Sequence, residues 1–222
     1  MAYFKSDFNE FFKELAANNN KEWFDENRER YHKNIKLPFE HFVAALMAEM
    51  QKEDPELTGD PKKAIFRINR DIRFSPDKTP YKLNRSAAIS KYGRKDGARP
   101  GLYIQLGPEN VYIAGGVYDP NKEELQAVRE AIANNPKEFE KAINDPHFVE
   151  TYGEIEGEEN KRLPTKELTE AAKTQPLLFK KQFFYSAVFP AEIITDDLLV
   201  DLIVEKHRDA KPVRDFFEKA LS

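Results

Sequence analysis

Apolar residues near the start of the chain recur with the spacing of one helix face. That first stripe comprises Phe4, Phe8, Phe11, Phe12 and Leu15. Asn18-Asn19-Asn20 predicts the end of this helix, and the side chain of Asn20 is placed to cap the next one. Pro38 is expected to end or kink that second helix, and another amphipathic stripe runs to Met50. We therefore predict a helical region over residues 1–60.

The middle of the chain changes to the period-two alternation of β-strands. In residues 64–74, alternation puts Phe66, Ile68, Arg70, Ile72 and Phe74 on one face. Four further strands are predicted at 86–91, 102–106, 111–117 and 183–189. Gly115-Gly116 inside a strand indicates a bulge or a close approach to the backbone, and we favour packing against a Trp or Phe.

Capping signals return in the last hundred residues. Asn121 with Glu124 fits a capping box, and Asn135-Pro136 and Asp145-Pro146 pair a capping residue with proline at the first helical position. The predicted fold class is therefore α+β, with a mainly antiparallel sheet of about five strands flanked by N-terminal and C-terminal helices. We expect one domain over 1–222, sheet-rich at 64–118 and helical with one further strand at 119–222.

Composition excludes several classes of site. The absence of cysteine removes disulfides, thiolate metal sites and thiol nucleophiles, and it fits a cytoplasmic protein. The N-terminus has no signal-peptide pattern, and no apolar run approaches the roughly 20 residues that a membrane span needs. The four histidines lack paired metal spacing, and neither a glycine-rich phosphate loop nor a Gly-x-Ser-x-Gly elbow occurs. We predict no metal site and no membrane partner; catalysis and cofactor stay open.

Charge is unevenly distributed along the chain. Residues 62–99 hold twelve Lys or Arg and three Asp, a net charge of +9. The other residues hold 23 basic and 36 acidic side chains, a net charge of −13. A local basic segment in an acidic chain indicates either an anionic ligand or pairing with acidic groups of the same chain.

The chemistry is concentrated between residues 67 and 82. Arg67 and Arg73 offer fork-shaped donors for phosphate or carboxylate, and Arg70, among apolar neighbours, needs a carboxylate or a ligand beside it. The two aspartates orient the arginines or act as metal ligands or acid–base groups. The predicted ligand-binding set is Arg67, Arg70, Asp71, Arg73, Ser75, Asp77, Lys78, Tyr81 and Lys82.

This run resembles the signature of a bacterial and fungal family, domain of unknown function 2461. The resemblance rests on Arg67-x-x-Arg70-Asp71-x-Arg73-Phe74-Ser75-x-Asp77-Lys78-x-Pro80-Tyr81-Lys82. Further pieces match in order along nearly the whole chain: Leu15, Asn18-Asn19-Asn20, Glu22-Trp23-Phe24, Gly115-Gly116, Pro120, Leu125, Arg129, Ile132, Arg162, Pro164, Leu177-Leu178 and Lys181. Asn69 departs from the family's frequent Tyr, and 164–174 lacks its usual Gly. The resemblance implies no activity, cofactor or substrate.

Three interpretations stay open. The preferred interpretation is binding, with turnover left open, of a small anionic or phosphorylated ligand at residues 67–82. The second is a nucleic-acid-binding module that uses the basic residues of 62–99 with Tyr81, Tyr92 and Tyr103 as stacking groups. The third is a structural or protein-interaction domain in which every arginine of the motif has a carboxylate partner in the same chain.

Overall fold

A computed structural model describes residues 2–222. Helices fill the first part of the chain, and burial of their aromatic faces in one core stabilises them. Their bounds are α1 (Asp7–Ala17), α2 (Lys21–Glu26), α3 (Arg28–Tyr31), α4 (Leu37–Gln51) and α5 (Pro61–Ala64). The side chain of Asn20 accepts a hydrogen bond from the amide of Trp23 at 2.9 Å, which confirms the predicted cap of α2. Phe8, Phe11, Phe12 and Leu15 are fully buried, as the first stripe predicted.

The connection between α3 and α4 is a π-helical turn, His32–Lys36. Pro38 follows it in the first turn of α4. The backbone keeps right-handed helical torsions through Lys36 and Leu37, and the amide of Leu37 donates to the carbonyl of His32, so the helix continues and the π-helical turn accommodates the amide that Pro38 lacks. Pro38 therefore marks the change from π-helical to α-helical winding.

The sheet has four antiparallel strands in the order β1-β2-β3-β4. Their bounds are β1 (Arg85–Ile89), β2 (Leu102–Leu106), β3 (Asn110–Val117) and β4 (Phe183–Pro190). The α+β class with helices flanking the sheet is confirmed, with four strands in place of about five. In β2, Leu102, Ile104 and Leu106 are buried while Tyr103 and Gln105 are half-buried, so one face of the strand meets the core.

The missing strand is the one predicted at 64–74, and that prediction is wrong. The segment makes only isolated bridges, Ile65 with Ala87 and Asn69 with Tyr81. From one bridge to the next the chain advances by four positions on the first side, 65 to 69, and by six on the second, 81 to 87. The pairing register therefore shifts, and no continuous ladder forms. The alternating pattern also breaks at its end, where Phe74 is 93% exposed.

Helices dominate the rest of the chain. Their bounds are α6 (Lys122–Asn134), α7 (Pro136–Ile143), α8 (Pro146–Tyr152), α9 (Lys166–Ala171), α10 (Leu199–Asp209) and α11 (Lys211–Ala220), with 3₁₀ turns at Pro176–Phe179 and Ala191–Thr195. The capping box predicted at Asn121 and Glu124 is present at the start of α6. Asp145 caps α8 as predicted.

The residues group into two compact units. The first comprises 2–94, Tyr103–Ile113 and Val188–Val204, and the second comprises Lys95–Leu102, Ala114–Ala187 and Glu205–Ser222. The core of the first is aromatic, with Phe4 4.7 Å from Phe8 and 5.4 Å from Phe42 between ring centroids. In the second, Phe139 lies 5.1 Å from Phe216. The single domain expected from the sequence stays a prediction.

Gly115 and Gly116 lie where another segment closely approaches the backbone, as expected, but the neighbours are the Tyr185 side chain and the backbone of β4 rather than a Trp or Phe ring. A Cβ at Gly115 would lie 2.5 Å from the hydroxyl oxygen of Tyr185. Gly116 has φ +98°, and a Cβ there would lie 2.4 Å from the carbonyl oxygen of Phe183. A side chain at either position is therefore excluded by β4.

Candidate functional site

The motif residues lie on an arm that leaves α5, turns at residues 71–79 and returns to β1. Three hydrogen bonds join its two sides: Phe66 N to Ser86 O at 2.9 Å, Arg70 N to Pro80 O at 2.9 Å and Lys82 N to Ile68 O at 2.8 Å. The turn is therefore the tip of the arm, and residues 65–68 with 82–87 are its base. Motif residues at opposite ends of the arm have different surroundings.

Asn19 and Phe24 anchor the returning side of the arm. The side chain of Asn19 donates to the carbonyl of Tyr81 at 2.9 Å and accepts from its amide at 3.1 Å. The ring of Tyr81 is buried and stacks on Phe24, with centroids 4.0 Å apart and planes 16° apart. Burial raises the pKa of Tyr81. Tyr81 is thus a packing residue that fixes the arm to α2.

Arg70 organises the tip. Its guanidinium donates to the carboxylate of Asp77 and the hydroxyl of Thr79, and it lies 3.4 Å from the hydroxyl of Ser75. The partner expected for Arg70 is therefore present in the same chain. The backbone amide of Thr79, 2.9 Å from Asp77, and then Arg70 lower the pKa of Asp77 to about 2. These contacts hold the turn closed.

A second ion pair and a lysine cap complete the tip. Arg73 donates two hydrogen bonds to Asp71, at 2.9 and 2.6 Å, and both side chains are exposed. The Arg73 guanidinium lowers the pKa of Asp71 to about 2. The ammonium of Lys78 donates to the carbonyl of Ile72 at 2.9 Å. The cations of the tip are thus committed to partners within the turn.

The base of the arm collects cations around one aromatic ring, Phe66. The Nζ atom of Lys82 lies 5.2 Å from the ring centroid, and the Cζ atom of Arg94 lies 5.0 Å from it. Both distances are in the range of cation–π contacts. Arg94 also donates to the carbonyl of Ile65, and Arg85 donates to the carbonyl of Phe66 at 2.9 Å. With Arg67, which follows Phe66 in the chain and whose charge acts on Lys82, these residues make up what we call the Phe66 cluster: Phe66, Arg67, Lys82, Arg85 and Arg94.

The cations of the Phe66 cluster differ from Arg70 and Arg73 at the tip in forming no ion pair in the described part of the chain, although the charges of Asp71 and Glu40 act on Arg67 and Arg85 from beyond ion-pair distance. Within residues 2–222, none of the four forms an ion pair with a carboxylate. Burial lowers the pKa of Lys82, and repulsion from Arg85, Arg67 and Arg94 lowers it further. Three guanidinium groups thus disfavour the charged form of the Lys82 amine.

Arg85 is the most deeply buried member, at 4% exposure. Its Cζ atom lies 5.3 Å from the ring centroid of Phe39, and no acceptor among residues 2–222 meets its Nε–H group. Burial lowers the pKa of Arg85, while Tyr31 and Glu40 act weakly in the opposite direction. Glu40 itself lies 3.5 Å from Lys62 and 3.9 Å from Lys36. Arg85 thus keeps a buried charge and an unused donor.

The family of the chain follows from a match over nearly its full length. A family model described as a conserved hypothetical protein (DUF2461) matches residues 7–216. The chain belongs to the DUF2461 family. A search of curated proteins finds no match.

In this DUF2461 chain the motif separates into two groups. Arg70, Ser75 and Asp77 meet at the tip, where Asp71 pairs with Arg73 and Lys78 binds a carbonyl. Tyr81 packs into the core, and Arg67 and Lys82 belong to the base. The structure does not bring the nine predicted residues to one point.

Arg85 and Arg94 were not predicted as site residues. Both approach Phe66 from distant positions in the chain, and spacing gives no sign of such a contact. The available signal is that Arg85 directly precedes the small strand residues Ser86, Ala87 and Ala88, which leave room for a neighbouring arginine to be buried.

Two kinds of feature do not occur in the described part of this DUF2461 chain, a membrane-spanning helix and a cluster of metal ligands. Residues 2–222 contain no helix that is both long and apolar enough to cross a membrane. The same residues contain no group of three or more His, Asp or Glu side chains arranged to hold a metal ion.

Proposed function

We propose that the Phe66 cluster binds a small anionic ligand through a phosphate or carboxylate group. One observation carries the proposal: Lys82, Arg85 and Arg94 contact Phe66 and Arg67 adjoins it in the chain, and among residues 2–222 no carboxylate forms an ion pair with any of the four. Arg67 and Lys82 come from the predicted set, and Arg85 and Arg94 join them.

Charge physics favours an external anion at such a cluster. An isolated buried charge is unfavourable by several kcal/mol, and like charges held together add to that penalty. A bound phosphate would relieve the repulsion on Lys82 and accept from guanidinium groups, whose fork of N–H donors matches its oxygens. The unused Nε–H group of the buried Arg85 adds a donor that gains from an acceptor.

The tip serves a different purpose in this proposal. Arg70 and Arg73 already have carboxylate partners, as the structural interpretation expected of every motif arginine. Their pairs shape the turn, while Arg67, which has no such partner, stays available for a ligand. Binding, rather than turnover, is what these contacts support.

A matched pair of variants tests the proposal. Isothermal titration calorimetry would measure inorganic phosphate and pyrophosphate binding to wild type, Arg67→Gln and Arg73→Gln at constant ionic strength. Both arginines are exposed and belong to one motif, but only Arg73 has an ion-pair partner. We expect Arg67→Gln to weaken binding about tenfold, because a charged hydrogen bond contributes about 1.5–3 kcal/mol, and Arg73→Gln to leave it within about twofold.

Two results would contradict the proposal. One is the absence of any binding of either anion to the wild-type protein. The other is an equal loss of affinity in the two variants, since that would reflect net charge rather than the Phe66 cluster.

A further inference from the structure

The half-buried face of β2 and β3 begins beside the Phe66 cluster. Leu102, Ile104, Val111 and Ile113 are buried, so the alternate residues point to the other side of the sheet. In the first unit, that other side presents Tyr103, Gln105 and Tyr112, all half-buried.

The rings on this face form a row that starts at Phe66. The centroids of Phe66 and Tyr103 lie 6.1 Å apart with planes at 60°. Those of Tyr103 and Tyr112 also lie 6.1 Å apart, with planes at 69°. The hydroxyl of Tyr103 donates to Gln105 Oε1 at 3.2 Å, which orients a side-chain amide beside the rings. The row therefore combines aromatic surface with a hydrogen-bonding group.

Cations at one end of an aromatic row match a ligand with an anionic group joined to a planar ring. Proteins hold nucleotide phosphates with arginine and lysine, and they stack the bases on aromatic side chains. A side-chain amide has both a donor and an acceptor for the edge of a base. A plain sugar phosphate has no planar ring, so it would use the cations and gain nothing from the aromatic row.

We propose that the ligand of the Phe66 cluster is a mononucleotide, with its phosphate at the cations and its base along Tyr103 and Tyr112. This inference rests on the proposed anion-binding function. A mononucleotide is favoured over a long polyanion by charge, because outside 62–99 the chain has a net charge of −13 and would repel a nucleic acid that extends beyond the cluster.

The test compares ligands that contain or lack the phosphate, the ribose or the base. Calorimetry on the full chain would measure the affinity for each of five ligands: inorganic phosphate, ribose 5-phosphate, adenosine 5′-monophosphate, adenosine and a short single-stranded oligonucleotide. We expect the mononucleotide to bind about tenfold or more tightly than ribose 5-phosphate, because stacking of one base on aromatic residues contributes an effect of that order. Adenosine, which lacks the phosphate, is expected to bind more weakly than the mononucleotide.

A second comparison locates the base. Tyr112→Leu is expected to reduce the advantage of the mononucleotide at least about threefold and to leave ribose 5-phosphate binding unchanged. The control is Tyr118→Leu, at a tyrosine that is 61% exposed and packs against Phe184, and it should change neither affinity. If Tyr112→Leu does not fold, saturation-transfer NMR on wild type replaces it, with stronger saturation expected on base protons than on ribose protons.

Different results would overturn different claims. Equal affinity for ribose 5-phosphate and the mononucleotide would overturn this inference and leave the proposed function standing, whereas no binding of any phosphate compound would remove both. Tighter binding of the oligonucleotide than of the mononucleotide would favour the nucleic-acid module instead. A full mononucleotide advantage in Tyr112→Leu, or stronger saturation of ribose than of base, would show that the base lies elsewhere.

Discussion

At the scale of single residues, Tyr152 and Tyr185 show how the effect of a buried hydroxyl depends on whether it has a hydrogen-bond partner. Both are buried and their centroids lie 4.7 Å apart, and burial raises the pKa of each. The hydroxyl of Tyr152 donates to the carbonyl of Lys206 at 2.7 Å, whereas that of Tyr185 meets no partner among residues 2–222. A buried donor contributes to stability only when it has an acceptor.

The first residue-scale prediction uses this pair. Tyr152→Phe should lower the free energy of unfolding by about 1 kcal/mol, because it removes a satisfied hydrogen bond. Tyr185→Phe should leave the free energy unchanged or raise it by up to about 1 kcal/mol, because it removes an unsatisfied hydroxyl. Urea denaturation of both variants measures the difference. A larger loss in Tyr185→Phe than in Tyr152→Phe would mean that the Tyr185 hydroxyl has a partner after all.

Arg85 is also a buried polar group with an unsatisfied donor, and it carries a charge as well. Arg85→Met keeps much of the volume that packs on Phe39 while removing the buried cation. We expect the variant to lose phosphate binding at least about tenfold without losing stability, since an apolar replacement of a buried charge is often neutral or stabilising. Thermal unfolding and calorimetry on the same samples test both parts. Unchanged phosphate affinity would remove Arg85 from the site.

At the scale of elements, the arm is held by side chains rather than by a strand ladder. Its pairing register shifts between residues 65 and 69, and Asn19 clamps Tyr81 from another element. Local patterns predicted Asn20 as a cap and Asn121 with Glu124 as a capping box, because a cap acts within four residues of chain. Alternation wrongly predicted a strand at 64–74, because it reports which side chains are buried and not whether a partner strand keeps register.

Local sequence patterns are informative over only a few residues, and this explains how much of the site could be predicted. Arg70 was expected to need a partner, and Asp77, seven residues away, provides it. Arg94 reaches Phe66 across many intervening residues, and Arg85 reaches its carbonyl from β1. Such contacts depend on where the arm turns and returns, which no pattern of neighbouring residues encodes.

The element-scale prediction concerns the clamp. Asn19→Ala should lower stability by about 1–2 kcal/mol, because it removes two part-buried hydrogen bonds. It should also speed hydrogen exchange of the Tyr81 and Lys82 amides. Asn18→Ala is the control, since Asn18 is exposed and bonds only within its own helix end. Slow exchange at Tyr81 in Asn19→Ala would show that the stacking on Phe24 suffices to anchor the arm.

At the scale of the whole molecule, stability is expected to depend on pH through His207. This histidine is buried in the second unit, and burial, followed by repulsion from Arg214 and Arg208, holds its pKa well below the ordinary value. The unfolded chain protonates it below about pH 6.5, so the unfolded state binds more protons in acid. The free energy of unfolding therefore falls as the pH drops below that value.

Denaturation at several pH values measures this dependence. His207 should contribute a slope of up to about 1.4 kcal/mol per pH unit between its folded pKa and about pH 6.5. His207→Gln should flatten that part of the curve, whatever its effect on stability at neutral pH. His41→Gln, at an exposed position, is the control and should retain the wild-type slope. A wild-type slope in His207→Gln would assign the acid sensitivity to other groups.

The Phe66 cluster lies within residues 62–99, which carry a net charge of +9 in an otherwise acidic chain. The most direct measurement of the central claim is an NMR titration of the lysine side-chain amines, with and without pyrophosphate. The account predicts that Lys82 has a pKa below that of ordinary lysines and that pyrophosphate raises it. A Lys82 that titrates like other lysines, or ignores pyrophosphate, would contradict it.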